Sequence, residues 1–141
     1  MFHHVELWVP DLDGAVRPWG WLLGELGWTE FQDWPGGRSW RFGDVYLVLE
    51  QSPALTSDVH DRLAPGLNHL AFTAGGQASA GRRTEADRRA EVDRLTAAAP
   101  EHGWSLLFPD RHPHAGGPQS YAAYLEDNWG YEVEIQSGPP E

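Results

Sequence analysis

An α+β fold of two tandem βαβββ modules, forming a curved mixed sheet (a cup) with helices on its convex side, is predicted by three observations. The order strand, helix, three strands occurs twice along the 141 residues. Each copy opens on a strand-like run carrying a histidine, His4 within 2–9 and His69 within 67–73. Each closes on a strand-like run carrying a glutamate, Glu50 within 45–51 and Glu134 within 131–136.

The first strand stops at Pro10, which cannot extend a ladder, and Asp11 or Asp13 can cap a helix after it. Residues 13–26 read as that helix because Val16, Trp19, Leu22, Leu23 and Leu26 recur at spacings of three and four. Pro18 within it implies a late start or a place in the first turn, and Gly27 suits the stop. Strands follow over 29–33, 38–42 and 45–51, separated by Trp34-Pro35-Gly36-Gly37 and Gly43-Asp44. A polar, Pro-bounded connector spans 52–65, and the Gly/Ala/Ser stretch 74–81 reads as a mobile loop. The second helix is expected over 84–99, with Thr84 as cap, Asp87 in capping-box position, and Ala86, Ala90, Val92, Leu95 and Ala98 as apolar positions. Strands 105–108, 121–126 and 131–136 complete the repeat, with a long Pro/Gly/His loop over 109–120. The organisation is a first module 1–51, a connector 52–65, a second module 66–136 and a tail 137–141, together one domain.

Composition narrows the function. The formal charge of −11 and a pI of about 4.9 disfavour nucleic acid and anionic membrane as partners. With no cysteine there is no disulfide, thiolate nucleophile or thiolate metal site, and with no lysine there is no Schiff base. His3, His4, Glu6 and Pro10 interrupt the N-terminal apolar run, so no secretory leader is expected. No apolar stretch reaches the ~20 residues of a membrane span, and a cytoplasmic location is the default.

Strand alternation sorts the faces. His4, Glu6 and Trp8 oppose Val5, Leu7 and Val9, which leaves His3 on the helix side as a structural residue. Glu50, His69 and Glu134 likewise lie opposite the apolar sets of their strands. A solvated sheet face gives the same pattern for any one of them; four at corresponding places in a repeat point to a metal site. Trp8 and Trp40 are expected as cavity walls, against the alternative that each packs in the core, and Glu6 faces the same cavity. Arg111 is a candidate clamp for a substrate carboxylate, and His112 and His114 are candidates to cover the cup.

The runs HHVELWVPDLD, GLNHLAF and YLEDNWGYEVEI resemble the vicinal oxygen chelate superfamily, which includes glyoxalase I, bleomycin-resistance proteins, fosfomycin-resistance thiol transferases and extradiol dioxygenases. The resemblance covers nearly the whole chain. Asp127, Gly130 and Glu134 match the Asp-x-x-Gly-x-x-x-Glu ending, while Asn128 and Trp129 stand where Pro and Asp are common. The resemblance implies paired modules around one divalent metal ion (Zn, Ni, Co, Fe or Mn), with His4, Glu50, His69 and Glu134 at the ligand positions. Fosfomycin-type enzymes and dioxygenases use two His and one Glu; an additional acid at Glu50 looks more like glyoxalase I and related epimerases. The function implied is a glyoxalase-like lyase or isomerase, acting on a metal-chelated oxygenated small molecule through an enediolate-type intermediate, with Glu134 or Glu50 as the base. No stretch matches the glutathione-contacting residues of glyoxalase I. The alternatives are a non-enzymatic drug-binding protein of bleomycin-resistance type and a metal-dependent dioxygenase. Members often dimerise, and a homodimer is expected.

Overall fold

The computed structural model describes residues 1–75 and 83–138. Most of the loop expected over 74–81, and the last three residues of the expected tail, lie outside the described residues. The chain divides into two units, Met1–His60 and Asp61–Glu141. Each contains a βαβββ module with its own four-stranded mixed sheet.

In the first unit, β1 (His4–Trp8) is followed by α1 (Leu12–Glu25), β2 (Thr29–Trp34), β3 (Gly37–Phe42) and β4 (Val45–Glu50), with sheet order β1-β4-β3-β2. The β1–β4 pair is parallel and the other two are antiparallel. Asp11 caps α1, its Oδ1 accepting from the Gly14 N–H at 3.0 Å. Gln51, directly after β4, holds the same end, its Oε1 accepting from Leu12 N–H at 2.8 Å. Pro18 lies inside the helix rather than at its start. Its ring is buried on the apolar face with Leu12, Ala15, Trp19, Leu22 and Leu23, and that burial offsets the missing i→i−4 bond. Gly27, at φ +86°, ends the helix, and Trp28 N–H reaches back to Leu23 O at 2.9 Å.

In the second unit, β5 (His69–Thr73) is followed by α2 (Glu85–Ala98), a 3₁₀ turn (Ala99–His102), β6 (Ser105–Leu107), β7 (Ala122–Glu126) and β8 (Glu132–Gln136), in the order β5-β8-β7-β6. The capping box forms as expected: Thr84 Oγ1 accepts from Asp87 N–H at 3.1 Å, and Asp87 Oδ2 from Thr84 N–H at 2.9 Å. These bonds hold the Asp87 carboxyl below its ordinary pKa, the backbone bond most. The buried stripe of α2 is narrower than its alanines suggest: Val92 and Leu95 are buried, while Ala86 and Ala90 are exposed. Residue 137 is no free tail. Ser137 is 2% exposed, its N–H bonds Tyr121 O, and its carbonyl accepts from Arg88. Among the described residues, no helix is long and apolar enough to cross a membrane.

Candidate functional site

Pairing register decides which side chains share a row. In the second unit His69 is paired with Glu132, and two residues on, Ala71 is paired with Glu134. β7 extends these rows, Tyr124 opposite Glu134 and Glu126 opposite Glu132. One sheet face therefore carries His69, Glu132, Glu126, Glu134 and Tyr124. Val133 and Ile135 point the other way and are fully buried.

His69 Nε2 lies 3.1 Å from Glu134 Oε2. Its other nitrogen, Nδ1, is 2.7 Å from Asn68 Oδ1. The orientation of that amide is set by its far end, because Asn68 Nδ2 donates to Arg62 O at 3.0 Å. Nδ1 must then carry the proton, and Nε2 turns a lone pair toward a carboxylate unless a cation or a second proton lies there. Two donors bound cis to one ion at ~2.1 Å stand ~3.0 Å apart, so the His69–Glu134 pair fits as two ligands of a divalent metal. Within neither unit do three His, Cys, Asp or Glu side chains gather as a metal centre among the described residues.

Tyr124 hydrogen-bonds Glu134, and burial, then the Glu134 charge, raise its phenol above the ordinary tyrosine range. It is a neutral donor to that carboxylate. Beside the pair, Arg62 spans two acids, with Nε 2.7 Å from Glu132 Oε2 and Nη1 3.2 Å from Glu126 Oε1. The Asp-x-x-Gly-x-x-x-Glu ending has a local explanation. Asp127 Oδ1 accepts from the N–H groups of Trp129 and Tyr131, both at 2.9 Å, Gly130 supplies φ +91°, and the tight turn delivers β8 in register.

The loop before β7 reaches the same face through aromatic rings. Phe108, at φ +53°, stands edge-on to Tyr124 with centroids 5.8 Å apart, and the Arg111 guanidinium lies 4.7 Å above the Phe108 ring. A Cβ added at Gly116 would come within 2.7 Å of the Tyr124 hydroxyl, so the backbone crosses directly over it. His112 is half-buried, and its Nδ1 has no hydrogen-bond partner among the described residues. His114 is placed differently: its Nδ1 meets Ser120 O at 2.7 Å and its ring packs on Tyr121, whose hydroxyl donates to Asp93 of α2. It pins the loop rather than covering the His69–Glu134 pair.

In the first unit His4 is paired with Tyr46, Glu6 with Val48 and Trp8 with Glu50. Counted from the histidine of each module, the counterpart of Glu134 is thus Val48, and Glu50 corresponds to Gln136. Glu50 stands four residues, about 13 Å of strand, beyond the His4 row. Glu50 and Glu134 match as acids near the ends of closing strands, but not in pairing register. His4 is exposed and stacked on Tyr46, with centroids 4.8 Å and planes 9° apart. His3 lies outside β1, its Nδ1 2.8 Å from that of His4 and its ring edge-on to Tyr46; it does not turn to the helix side. Trp8 is 39% exposed and donates Nε1–H to Glu6 Oε2 at 3.2 Å.

Trp40 lies against α1 rather than in the Trp8 row. It is 2% exposed and paired with buried Leu47, and a Cβ on Gly20 of α1 would touch its ring at 3.4 Å. Its ring packs on the helix, and Trp40 also borders a cavity along the β2–β3 register. The ring that does share the Trp8–Glu50 row is Trp34, which lies over Gly37 so closely that a Cβ there would meet it at 2.2 Å. A cavity of about 270 Å³ along the irregular β2–β3 register contains none of the ligand candidates.

Arg62, Asn68 and Tyr124 build the site without a motif of their own. Asn68 had one local signal, its position directly before the strand histidine. Tyr124 needed the β7–β8 register, and Arg62 sits in what reads as a polar connector.

Known proteins share this sequence pattern and fold. The family model described as the Glyoxalase/Bleomycin resistance protein/Dioxygenase superfamily matches residues 3–124. "Uncharacterized protein YqjT" of Bacillus subtilis (strain 168) is 41% identical over 135 residues, covering 94% of this chain and 95% of that one. The crystal structure of a protein described as a "putative glyoxalase" from Bacillus halodurans is 41% identical with a TM-score of 0.83, covering 96% of this chain and 94% of that one. FosX of Listeria monocytogenes, a fosfomycin resistance protein solved as its E126Q mutant with Mn(II) and 1S,2S-dihydroxypropylphosphonic acid, shares the fold. It is 14% identical with a TM-score of 0.59, over 98% of this chain and 90% of that one. The chain belongs to the Glyoxalase/Bleomycin resistance protein/Dioxygenase superfamily.

Proposed function

We propose that this protein is a metal-dependent lyase or isomerase of glyoxalase type, acting on a small molecule with two neighbouring oxygens, such as a hydroxyketone. The observation that carries the reading is the His69 Nε2–Glu134 Oε2 approach of 3.1 Å, with Nδ1 engaged by Asn68. The 41% identity to the Bacillus halodurans protein supports the glyoxalase type. His69 and Glu134 are two of the metal ligands, and His4 is added on the sequence resemblance. A bound divalent ion would supply Lewis-acid stabilisation of the charge that develops on the substrate oxygens. Glu134, once released from the ion, would be the base: it takes the proton from the hydroxyl-bearing carbon next to the carbonyl and returns it to the former carbonyl carbon, while the hydroxyl proton passes to the former carbonyl oxygen. Tyr124 donates to that carboxylate and holds its orientation. Arg111, poised on Phe108, offers a guanidinium to an anionic substituent. Trp8 and Glu6 of the first unit, and His112 of the loop, are assigned to substrate contact. Protein loaded with Zn²⁺, Ni²⁺, Co²⁺, Fe²⁺ or Mn²⁺ in turn should exchange the α-proton of a hydroxyketone such as dihydroxyacetone in deuterated water. No exchange across a panel of hydroxyketones and thiohemiacetals with every metal would defeat the reading.

The register of Glu50 favours a second reading. With Val48 at the counterpart of Glu134, the donor set is two His and one Glu, the set that dioxygenases use. Oxygen consumption by the ferrous or manganous protein with catechols separates the two. The proposal includes a homodimer. Sizing with light scattering should return twice the 15.8 kDa chain mass, and a monomer at all concentrations would remove that element.

A further inference from the structure

We infer that Asn68 is a positioning residue that fixes the tautomer of His69, and that the backbone carbonyl of Arg62 locks Asn68 in the one orientation able to do so. The inference rests on reading His69 as a metal ligand through Nε2. An asparagine amide beside an imidazole can present either its oxygen or its nitrogen, and the two choices select opposite tautomers. Here the choice is made elsewhere. Asn68 Nδ2 donates to Arg62 O at 3.0 Å, which leaves Oδ1 to face His69 Nδ1 at 2.7 Å. Arg62 is itself held, its guanidinium bonded to Glu132, the register partner of His69. The chain of contacts runs Glu132, Arg62, Asn68, His69, and closes on one row of the sheet. Its result is an imidazole with Nδ1 protonated and Nε2 open toward the Glu134 side, the state a metal requires. Tyr124 does not share this role: it packs edge-on to the His69 ring with centroids 5.8 Å apart and directs its hydroxyl to Glu134.

Asn68 is exposed and outside the buried core, so its replacement leaves the core intact. The test takes full-length, metal-free protein in a Glu134→Ala background, which removes the competing acceptor at Nε2. ¹⁵N imidazole shifts are read at a pH where the ring is neutral. With Asn68 present, His69 should carry its proton on Nδ1. Asn68→Leu, similar in shape but without an acceptor, should move the proton to Nε2, the position a free imidazole favours. Asn68→Asp, which keeps the acceptor, should retain Nδ1–H. With Glu134 restored, Asn68→Leu should weaken Zn²⁺ binding about 10–100-fold, and Asn68→Asp should restore most of it. An unchanged tautomer in Asn68→Leu overturns the inference whatever the metal result. A tautomer that switches as expected, in a protein whose wild type binds no metal, keeps the positioning role and defeats the metal reading instead.

Discussion

Glu134→Ala and His69→Ala are each expected to weaken divalent-metal binding by more than about 100-fold, since loss of a supporting hydrogen bond to a ligand already costs about 10–100-fold. Protein purified without a histidine tag and analysed for metal content should hold near one ion per chain, lost on either substitution. His4→Ala tests the ligand assigned on resemblance and should behave the same way. Glu50→Ala is the informative contrast. A four-donor site of glyoxalase I type needs Glu50, whereas the register places it opposite Trp8, two residues beyond Val48 on the same face. Metal retained in Glu50→Ala therefore identifies a three-donor enzyme. Metal lost there would show that Glu50 reaches the ion despite the register. Wild-type protein without metal after reconstitution would leave a ligand-binding protein of bleomycin-resistance type, the one outcome that removes Glu134 from metal chemistry.

Much of this was legible in the residues, for reasons that differ between elements. The order of elements showed because period-2 and period-3.6 patterns alternate twice, and because caps such as Asp11 and the Thr84–Asp87 box are chemically local. His69 and Glu134 showed because each lies opposite the apolar set of its own strand. What did not show depends on neighbours. Trp40 alternates correctly within β3, but only its pairing with Leu47 says which face the phase belongs to. Glu50 and Glu134 both lie near the end of a closing strand, yet differ by two residues once the parallel partner is counted. Pro18 looked like a boundary because its cost is local, while the compensation is burial against the rest of the unit. Tyr124 comes from a segment far from His69 in sequence and meets its row only through the sheet, while Arg62 reaches that row by its side chain from a turn. Alternation along one strand gives a face; only the partner gives a row.

Arg62→Ala is expected to destabilise the protein by about 3 kcal/mol, the range seen when one member of a buried ion pair is removed. Glu132 is 5% exposed and depends on the guanidinium 2.7 Å away. Glu126, its register partner across β7–β8, is 31% exposed and bonds the same Arg62 at 3.2 Å. Without Arg62 two carboxylates face each other, one with almost no water to solvate it. The loss should appear as a fall of roughly 10 °C in melting temperature. Arg62→Ala combined with Glu132→Gln should recover most of it, since a neutral amide tolerates that burial better than an unpaired charge. Arg62→Lys should be less stable than the parent, because an ammonium cannot place two N–H groups of a planar fork on separate acids. A melting temperature unchanged in Arg62→Ala would mean that Glu132 is solvated by another route. The double variant also separates stability from site geometry. If it folds as stably as the parent but still binds metal weakly, the guanidinium serves His69 through its grip on the segment that holds Asn68. If metal binding returns with stability, the Arg62 backbone holds that segment without its side chain.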